Sequence, residues 1–268
     1  MRGIQTMLKS FIGGFRQHSS APDPNIQFFD DPTPHIYLTE LLPPSVFEHV
    51  KFPDMPRTPT GRAGHDYYRG DTAWDAEMAK PGWREMGKKF LNEDFATSII
   101  QIFANDMRRQ GCLVNPDKAY FTDYIENWDD GYTQTLSETD DPNALFIRFD
   151  FQAMDGTYSK GVHCDKPRRV VGGVLFMSNA AEQGMVGGDF GLFVDKQFAN
   201  DRIPHQVEVA KKYPFKRNQG VMFLNSNTGF HGPLPIEKMA GMRQWIYYSI
   251  SSRRDVWPMA GTNCAACG

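Results

Sequence analysis

The 268-residue chain has little cysteine: Cys112, Cys164, Cys264 and Cys267 are all there is. Four scattered cysteines are too few for a disulfide scaffold in a chain of this length, so we expect a reducing, cytoplasmic compartment. Cys264 and Cys267 form one CxxC pair near the C-terminal end. A zinc site would need two more ligands from elsewhere, and we interpret the pair as part of a plain tail.

Long apolar runs and a basic excess are also missing. No run reaches the ~18–20 apolar residues that a membrane span needs, and nothing reads as a signal peptide, so no transmembrane segment is expected. The formal net charge is -3, which offers no basic surplus for a phosphate backbone and predicts no nucleic-acid partner. No internal repeat is evident, which disfavours a solenoid.

Residues 1–20 contain no acidic residue, and their apolar residues recur at helical spacing between Arg2, Lys9 and Arg16. This pattern predicts an amphipathic helix with a basic face. Such a helix could lie on a membrane or serve as a targeting peptide. We favour packing on its own domain or on a neighbouring subunit, so a homo-oligomer through residues 1–20 is one expectation.

Aromatic residues (13%), 24 glycines and 18 prolines are plentiful. Many turns indicate many short strands, and the β-rich runs begin at about residue 117. We predict an N-terminal helix and linker (1–33), a single domain (34–256) and a tail (257–268). The domain has a helical part at about 34–116 and a β core at about 117–256. The fold class is α+β with a mainly β sandwich or barrel core and N-terminal helices packed on it. The β-rich runs lie at Ala119–Ile125, Ala144–Gln152, Val170–Met177, Asp189–Val194, Val207–Val209, Gly220–Leu224 and Gln244–Ser251.

The first indication of a metal site is an H-x-D motif at His163 and Asp165. In an extended chain, residues i and i+2 point to the same face, so both side chains could bind one metal. Alone, His163 as a turn residue and Asp165 as a cap would be the plainer interpretation. His231 is the best third ligand, and two histidines with one carboxylate suit non-haem Fe(II) oxygenases.

Arg243 opens the last apolar strand, twelve positions after His231. A cation that enters a barrel interior needs an anionic partner, and arginine grips a carboxylate with two parallel hydrogen bonds. A dicarboxylate such as 2-oxoglutarate could bind Arg243 at one end and chelate the metal with the other.

These linked motifs resemble the Fe(II)- and 2-oxoglutarate-dependent dioxygenases of the prolyl 4-hydroxylase-like type. The resemblance covers roughly residues 144–252. Its pieces occur in the family's order: H-x-D, Phe176-Met-Ser-Asn179, Gly187-Gly188-Asp189-Phe-Gly-Leu192, His231 with a following Gly-Pro, and Gly-x-Arg at Gly241 to Arg243.

The resemblance implies a double-stranded β-helix (a cupin-like jelly roll) that holds Fe(II) through His163, Asp165 and His231. It implies 2-oxoglutarate as co-substrate at Arg243, O2 as oxidant, and hydroxylation of a small-molecule, sugar-linked or peptidyl substrate with release of succinate and CO2. The family often has a tyrosine shortly before H-x-D that helps to hold 2-oxoglutarate, but Ala153 stands there. Tyr158 and Arg148 are candidates for that duty.

Several alternatives stay open. Asn225 and Asn227 are turn formers or line the site, and we include Asn225 among the cofactor-binding candidates. Lys166, Arg168 and Arg169 form a solvated rim or attract an anionic substrate. A cupin-like metal isomerase or epimerase would use the same ligands without Arg243. A non-catalytic barrel that binds a glycan or a partner is the third interpretation.

Overall fold

The computed structural model describes residues 24–55, 65–122, 141–155, 160–197 and 200–258. Within these ranges the chain forms thirteen strands and five helices. The strands are β1 (Ile26–Phe29), β2 (His35–Leu38), β3 (His65–Tyr67), β4 (Tyr120–Phe121), β5 (Ala144–Asp155), β6 (Arg169–Phe176), β7 (Val186–Gly187), β8 (Phe190–Asp195), β9 (Val207–Tyr213), β10 (Gln219–Leu224), β11 (His231–Pro233), β12 (Ile236–Lys238) and β13 (Met242–Ser252). The helices are α1 (Pro44–Phe47), α2 (Thr72–Met78), α3 (Pro81–Phe90), α4 (Glu93–Ile102) and α5 (Ala104–Arg109).

The strands form one large sheet and two small ones. The eight-stranded sheet has the order β1-β2-β10-β6-β13-β5-β3, and β4 pairs in parallel with β5. The small sheets have the orders β11-β8-β9 and β12-β7. Side chains from the large sheet (Phe176, Phe223) and from the small sheets (Leu192, Ile236) meet in one buried cluster, so the sheets face each other as in a jelly roll.

The large sheet separates two cores because side chains alternate along its strands. On β13, Ile246, Tyr248 and Ile250 belong to the core under the helices. The intervening Trp245 packs against the cluster between the sheets, and the hydroxyl of Tyr247 reaches Asp165 on that same side. The inner face of β13 is therefore available for a polar site.

The helices cover the outer face of the large sheet. Helix α3 begins with Pro81, which suits a first turn, and buries Trp83, Met86 and Phe90 at spacings of three and four. Helix α4 is capped by Asn92, whose side chain accepts hydrogen bonds from the backbone N–H of two residues in the first turn. This layer supports the sheet from behind and leaves the inner face open.

The predicted fold class is confirmed: a mainly β jelly-roll core, the double-stranded β-helix, with helices packed on it. The linker predicted before residue 34 is wrong at Ile26–Phe29, which pairs with β2. Apolar residues of this hairpin, such as Phe28, cover the edge of the helix-side core, and that burial overrides the local turn signals. Strand β3 lies within the part predicted to be helical, at about 34–116, and pairs with β5.

Some expectations lie outside the described residues. These are the helix at residues 1–20, the oligomer contact through it, Tyr158, and the pair Cys264 and Cys267. In the part of the chain that the structure describes, no helix is both long and apolar enough to cross a membrane.

Candidate metal centre

His163 and His231 face each other across a two-residue backbone bridge. The N–H of His163 donates to the carbonyl oxygen of His231 at 3.0 Å, and the N–H of His231 donates back at 2.9 Å. This pairing brings the imidazole ring centroids to 4.5 Å. The short strand β11 thus places a residue from 68 positions further along the chain beside the H-x-D motif.

Both imidazoles have one ring nitrogen engaged from behind. Nδ1 of His163 lies 2.7 Å from the carbonyl oxygen of Gly161, and Nδ1 of His231 lies 3.0 Å from that of Gly229. A carbonyl oxygen only accepts hydrogen bonds, so Nδ1 carries the proton and Nε2 keeps a free lone pair. The ligand atoms of His163, Asp165 and His231 all lie within 4.8 Å of one another, so both Nε2 atoms and the carboxylate converge on one point.

Asp165 is almost fully buried and is held on both oxygens. Oδ1 lies 3.0 Å from Nη1 of Arg169, and Oδ2 accepts a hydrogen bond of 2.8 Å from the hydroxyl of Tyr247. The imidazole nitrogens lie further from the carboxylate: Nε2 of His163 is 3.6 Å from Oδ1, and Nε2 of His231 is 3.8 Å from Oδ2. The carboxylate is therefore oriented by its neighbours rather than free to rotate.

The electrostatics keep Asp165 and His231 in the state that binds a metal. Burial alone would raise the pKa of Asp165, but Arg169 and the two neighbouring histidines outweigh it and hold the pKa well below its usual value. Burial, together with the neighbouring His163, lowers the pKa of His231 to about 3. At neutral pH the site presents a carboxylate and a neutral imidazole.

Asn225 holds the H-x-D turn from its buried side. Its Oδ1 accepts from the N–H of Asp165 at 3.0 Å, and its Nδ2 donates to the carbonyl oxygens of Lys166 and Arg169 at 3.1 and 3.0 Å. All of these polar atoms are used on main chain, so the side chain of Asn225 supports the turn. The expectation that it contacts a cofactor does not match this arrangement.

Arg243 lies on the inner face of β13, buried to 5% exposure. Its guanidinium carbon is 4.4 Å from the Phe215 ring centroid and 5.5 Å from that of Trp245. Its Nε is buried without a hydrogen-bond partner, and no acid of the described residues lies within ion-pair distance. Burial lowers the pKa of Arg243 to about 10, with Asp189 opposing the shift. The side chain stays charged at neutral pH, and no carboxylate of the described residues is in ion-pair contact with it.

Arg148 also faces the inside, but Nη2 is paired with Oδ2 of Asp150 at 2.5 Å. Its guanidinium carbon lies 5.4 Å from the Tyr247 ring centroid, so it borders the carboxylate network. The structure thus brings Arg148 near the triad through Tyr247. The interpretation of Arg169 as part of a solvated rim is wrong, because it is buried and pairs with Asp165.

Comparisons with known proteins find structural matches only. No family model and no curated protein matches the chain. An oxidoreductase of the 2OG-Fe(II) oxygenase family from Burkholderia pseudomallei matches at 17% identity and TM-score 0.29, covering 42% of this chain and 46% of that one. A prolyl-4-hydroxylase from Pseudomonas putida matches at 19% identity and TM-score 0.29, covering 39% of this chain and 48% of that one. A prolyl hydroxylase from Trichoplax adhaerens was solved in complex with a hypoxia inducible factor oxygen degradation domain peptide fragment. It matches at 10% identity and TM-score 0.38, covering 82% of this chain and 84% of that one.

The fold resembles that of 2OG-Fe(II) oxygenases. The matches name the family that the sequence motifs resemble, and they span about half the length of the first two structures. With TM-scores below 0.5, they carry no inference about activity.

Two residues of this candidate metal centre were not among the predicted site residues. Tyr247 donates to a ligand oxygen, and its position could have been found from alternation, since it stands four residues after Arg243 on the same strand face. Arg202 reaches the carbonyl oxygen of Asp165. It lies outside every motif, and no sequence signal points to it.

Proposed function

We propose that this chain is an Fe(II)- and 2-oxoglutarate-dependent oxygenase that hydroxylates an unactivated C–H bond. The support at the metal end is the donor set. Two imidazole nitrogens and one carboxylate leave three positions open on a six-coordinate ion, the arrangement that suits non-haem Fe(II) oxygenases. His163, Asp165 and His231 would hold the metal, with both Nε2 atoms unblocked.

The single observation that carries the proposal is the lone buried charge of Arg243. A buried guanidinium is expensive unless an anion neutralises it; its Nε has no hydrogen-bond partner, and Asp189, the acid that opposes the pKa shift, makes no ion-pair contact with it. It lies on the same face of β13 as Tyr247, which bonds the ligand Asp165. A ligand that spans from the metal to Arg243 therefore needs a carboxylate at its far end, as 2-oxoglutarate has.

The remaining inner side chains shape this space. The Phe223 ring lies 4.2 Å from the His231 ring, centroid to centroid, and Phe190 lies 6.1 Å from it. These rings exclude water from one side of the ligands, which strengthens the polar contacts there. Trp245 stands between Arg243 and Tyr247 on the strand and donates from Nε1 to Oε1 of Gln152 at 2.7 Å, so the indole is fixed in place.

Fe(II) with 2-oxoglutarate and O2 bound would supply the oxidation, with release of succinate and CO2. The protein's part is to hold the ligands, grip the co-substrate and exclude water. For the oxidised substrate we propose a small-molecule, sugar-linked or peptidyl compound.

The test is the visible spectrum of the protein with Fe(II) and 2-oxoglutarate under exclusion of oxygen. We expect a weak metal-to-ligand charge-transfer band in the wild type. His231→Ala should remove the metal and the band, and Arg243→Ala should raise the 2-oxoglutarate concentration needed to develop it. Once the band is seen, succinate release can be used to screen substrates.

A folded, metal-loaded wild type without this band would contradict the proposal. A metal-dependent isomerase would bind the metal at the same triad yet ignore the keto acid and the Arg243→Ala change. A binding barrel would keep its ligand when the metal is removed. The same three proteins therefore separate the three functions.

A further inference from the structure

Arg202 has a backbone conformation that arginine rarely adopts. It lies in the segment between β8 and β9 with φ at 65°, in the left-handed region. The other non-glycine residue with positive φ among the described residues is Asn218, also at 65°. Asparagine tolerates this region, whereas a long side chain has no local hydrogen bond to offset the strain. An outlier of this kind points to a role for the side chain.

The guanidinium of Arg202 joins two segments that carry metal ligands. Nη2 donates to the carbonyl oxygen of Asp165 itself. Nη1 donates to the carbonyl oxygen of Asn225 at 3.2 Å and to Oδ1 of Asn227 at 3.0 Å. Asn225 and Asn227 lie in the segment that leads to His231. One planar group thus fixes the H-x-D turn against the approach to the distal histidine.

Arg202 complements Asn225 at the same peptide. Asn225 accepts from the N–H of Asp165 at 3.0 Å on the buried side, while Arg202 donates to the carbonyl oxygen of Asp165 from a partly exposed position. Both polar groups of the ligand's main chain are therefore held by side chains. The direction of the Asp165 side chain depends on that main chain.

The described part of the segment that carries Arg202 is also held by hydrogen bonds that do not involve this guanidinium. Oδ1 of Asp195 accepts from the N–H groups of Gln197 and Gln206 at 3.0 and 3.1 Å, and its Oδ2 accepts from that of His205 at 3.1 Å. Asp201 caps the turn by accepting from the N–H of Ile203 at 3.0 Å. Removal of the Arg202 side chain should thus leave the β8–β9 connection in place.

We propose that Arg202 is a positioning residue that preforms the metal site by holding Asp165 in register with the segment leading to His231. The inference rests on the proposed function in one respect, namely that the triad binds a divalent metal. It does not depend on 2-oxoglutarate or on the identity of the substrate. Residues that orient ligands in this way typically contribute 10–100-fold to metal affinity.

The experiment measures Co(II) affinity and the visible d–d spectrum of the Co(II)-loaded protein, with thermal unfolding of the metal-free form. Arg202→Gly removes the guanidinium and also relieves the backbone strain, so the metal-free protein should melt close to the wild type. We expect its Co(II) affinity to fall by about 10–100-fold, with an altered d–d spectrum. Arg202→Lys, which keeps the charge without the planar fork, should recover only part of the affinity.

Asn218→Gly is the matched control. Asn218 has the same φ, but its side chain binds the main chain at Leu41 and Leu42, remote from the triad. Its loss should lower the melting temperature and leave Co(II) affinity unchanged.

Three results overturn the inference. Arg202→Gly with wild-type affinity and spectrum removes the positioning role. Equal losses of affinity in Arg202→Gly and Asn218→Gly reduce the effect to general destabilisation. A wild type that binds no divalent metal overturns the proposed function as well. That outcome is recognised because the Co(II) titration of the wild type then shows no binding.

Discussion

Replacing Arg243 with methionine should change stability and co-substrate binding in opposite directions. In the metal-free protein Arg243 is buried, and its Nε has no hydrogen-bond partner. An unsatisfied buried donor costs about 1–3 kcal/mol, more when it belongs to a charged group. Contacts with the Phe215 and Trp245 rings return about 0.5–2 kcal/mol. Methionine fits an irregular apolar space and has neither the unsatisfied donor nor the cation–ring contacts. We therefore expect the unliganded variant to be about 1 kcal/mol more stable.

The same substitution removes the guanidinium that is proposed to bind the far carboxylate of 2-oxoglutarate. Loss of one partner of a buried, hydrogen-bonded charge pair costs about 3–5 kcal/mol. The affinity for 2-oxoglutarate should then fall by at least about a hundredfold, since each 1.4 kcal/mol is a factor of ten. Metal binding should be unchanged, because none of the triad's contacts involves Arg243.

Thermal unfolding with and without ligands measures both effects. Without ligand, Arg243→Met should melt about 2–4 °C above the wild type, as expected for about 1 kcal/mol in a chain of this size. With Mn(II) in place of Fe(II) and 2-oxoglutarate at about 100 times the wild-type Kd, the wild type should gain about 2.7 kcal/mol and overtake the variant. A variant that melts lower without ligand, yet gains as much from 2-oxoglutarate, would refute the reasoning about the lone charge.

Two other predictions concern the carboxylate ligand and the acid stability. Tyr247→Phe removes the hydrogen bond to Oδ2 of Asp165 and should lower metal affinity about tenfold in a Co(II) titration. Tyr248→Phe is its control, because that hydroxyl is buried without a partner on the opposite face; it should stabilise the protein by about 1 kcal/mol and leave metal affinity alone. Burial lowers the pKa of His35 to about 4 from 6.5. As the pH falls from 6.5 to 4 the unfolded chain takes up a proton that folded His35 refuses, so stability is lost on acidification. Urea unfolding of His35→Gln across this window should show an acid loss smaller by up to about 3 kcal/mol, and an unchanged pH profile would contradict the assignment.

The sequence predicts the long strands and helices because their burial is regular. The run from Gln244 to Ser251 lies within β13, and all five helices lie within the helical part predicted at about 34–116. Three of the strands that the sequence does not predict, β7, β11 and β12, are only two or three residues long. Elements this short carry no periodicity, and they exist because partners distant in the chain pair with them. Their positions depend on tertiary packing and not on local preference.

The site divides in the same way. His163, Asp165, His231 and Arg243 could be picked out because each stands in a motif of a characteristic residue type. The groups that orient them could not, since the role of Asn225 depends on which main-chain atoms meet it in the folded chain. A motif reports residue types along the chain, whereas a hydrogen bond to a distant peptide group is visible only in three dimensions.

The two ends of the site are prepared differently, and this difference bears on function. At the metal end, both oxygens of Asp165 and both Nδ1 atoms have partners before any metal arrives. Little reorganisation is then needed on binding, which favours affinity. At the other end, Arg243 is buried with an Nε that has no hydrogen-bond partner, so the free protein carries a cost that a bound carboxylate removes. The free energy released there adds to co-substrate affinity, and it selects for a ligand with a negative charge at that distance from the metal. A 2-oxo acid of the same length with an uncharged group at its far end could chelate the metal equally well and would still bind more weakly, because the guanidinium would stay unpaired.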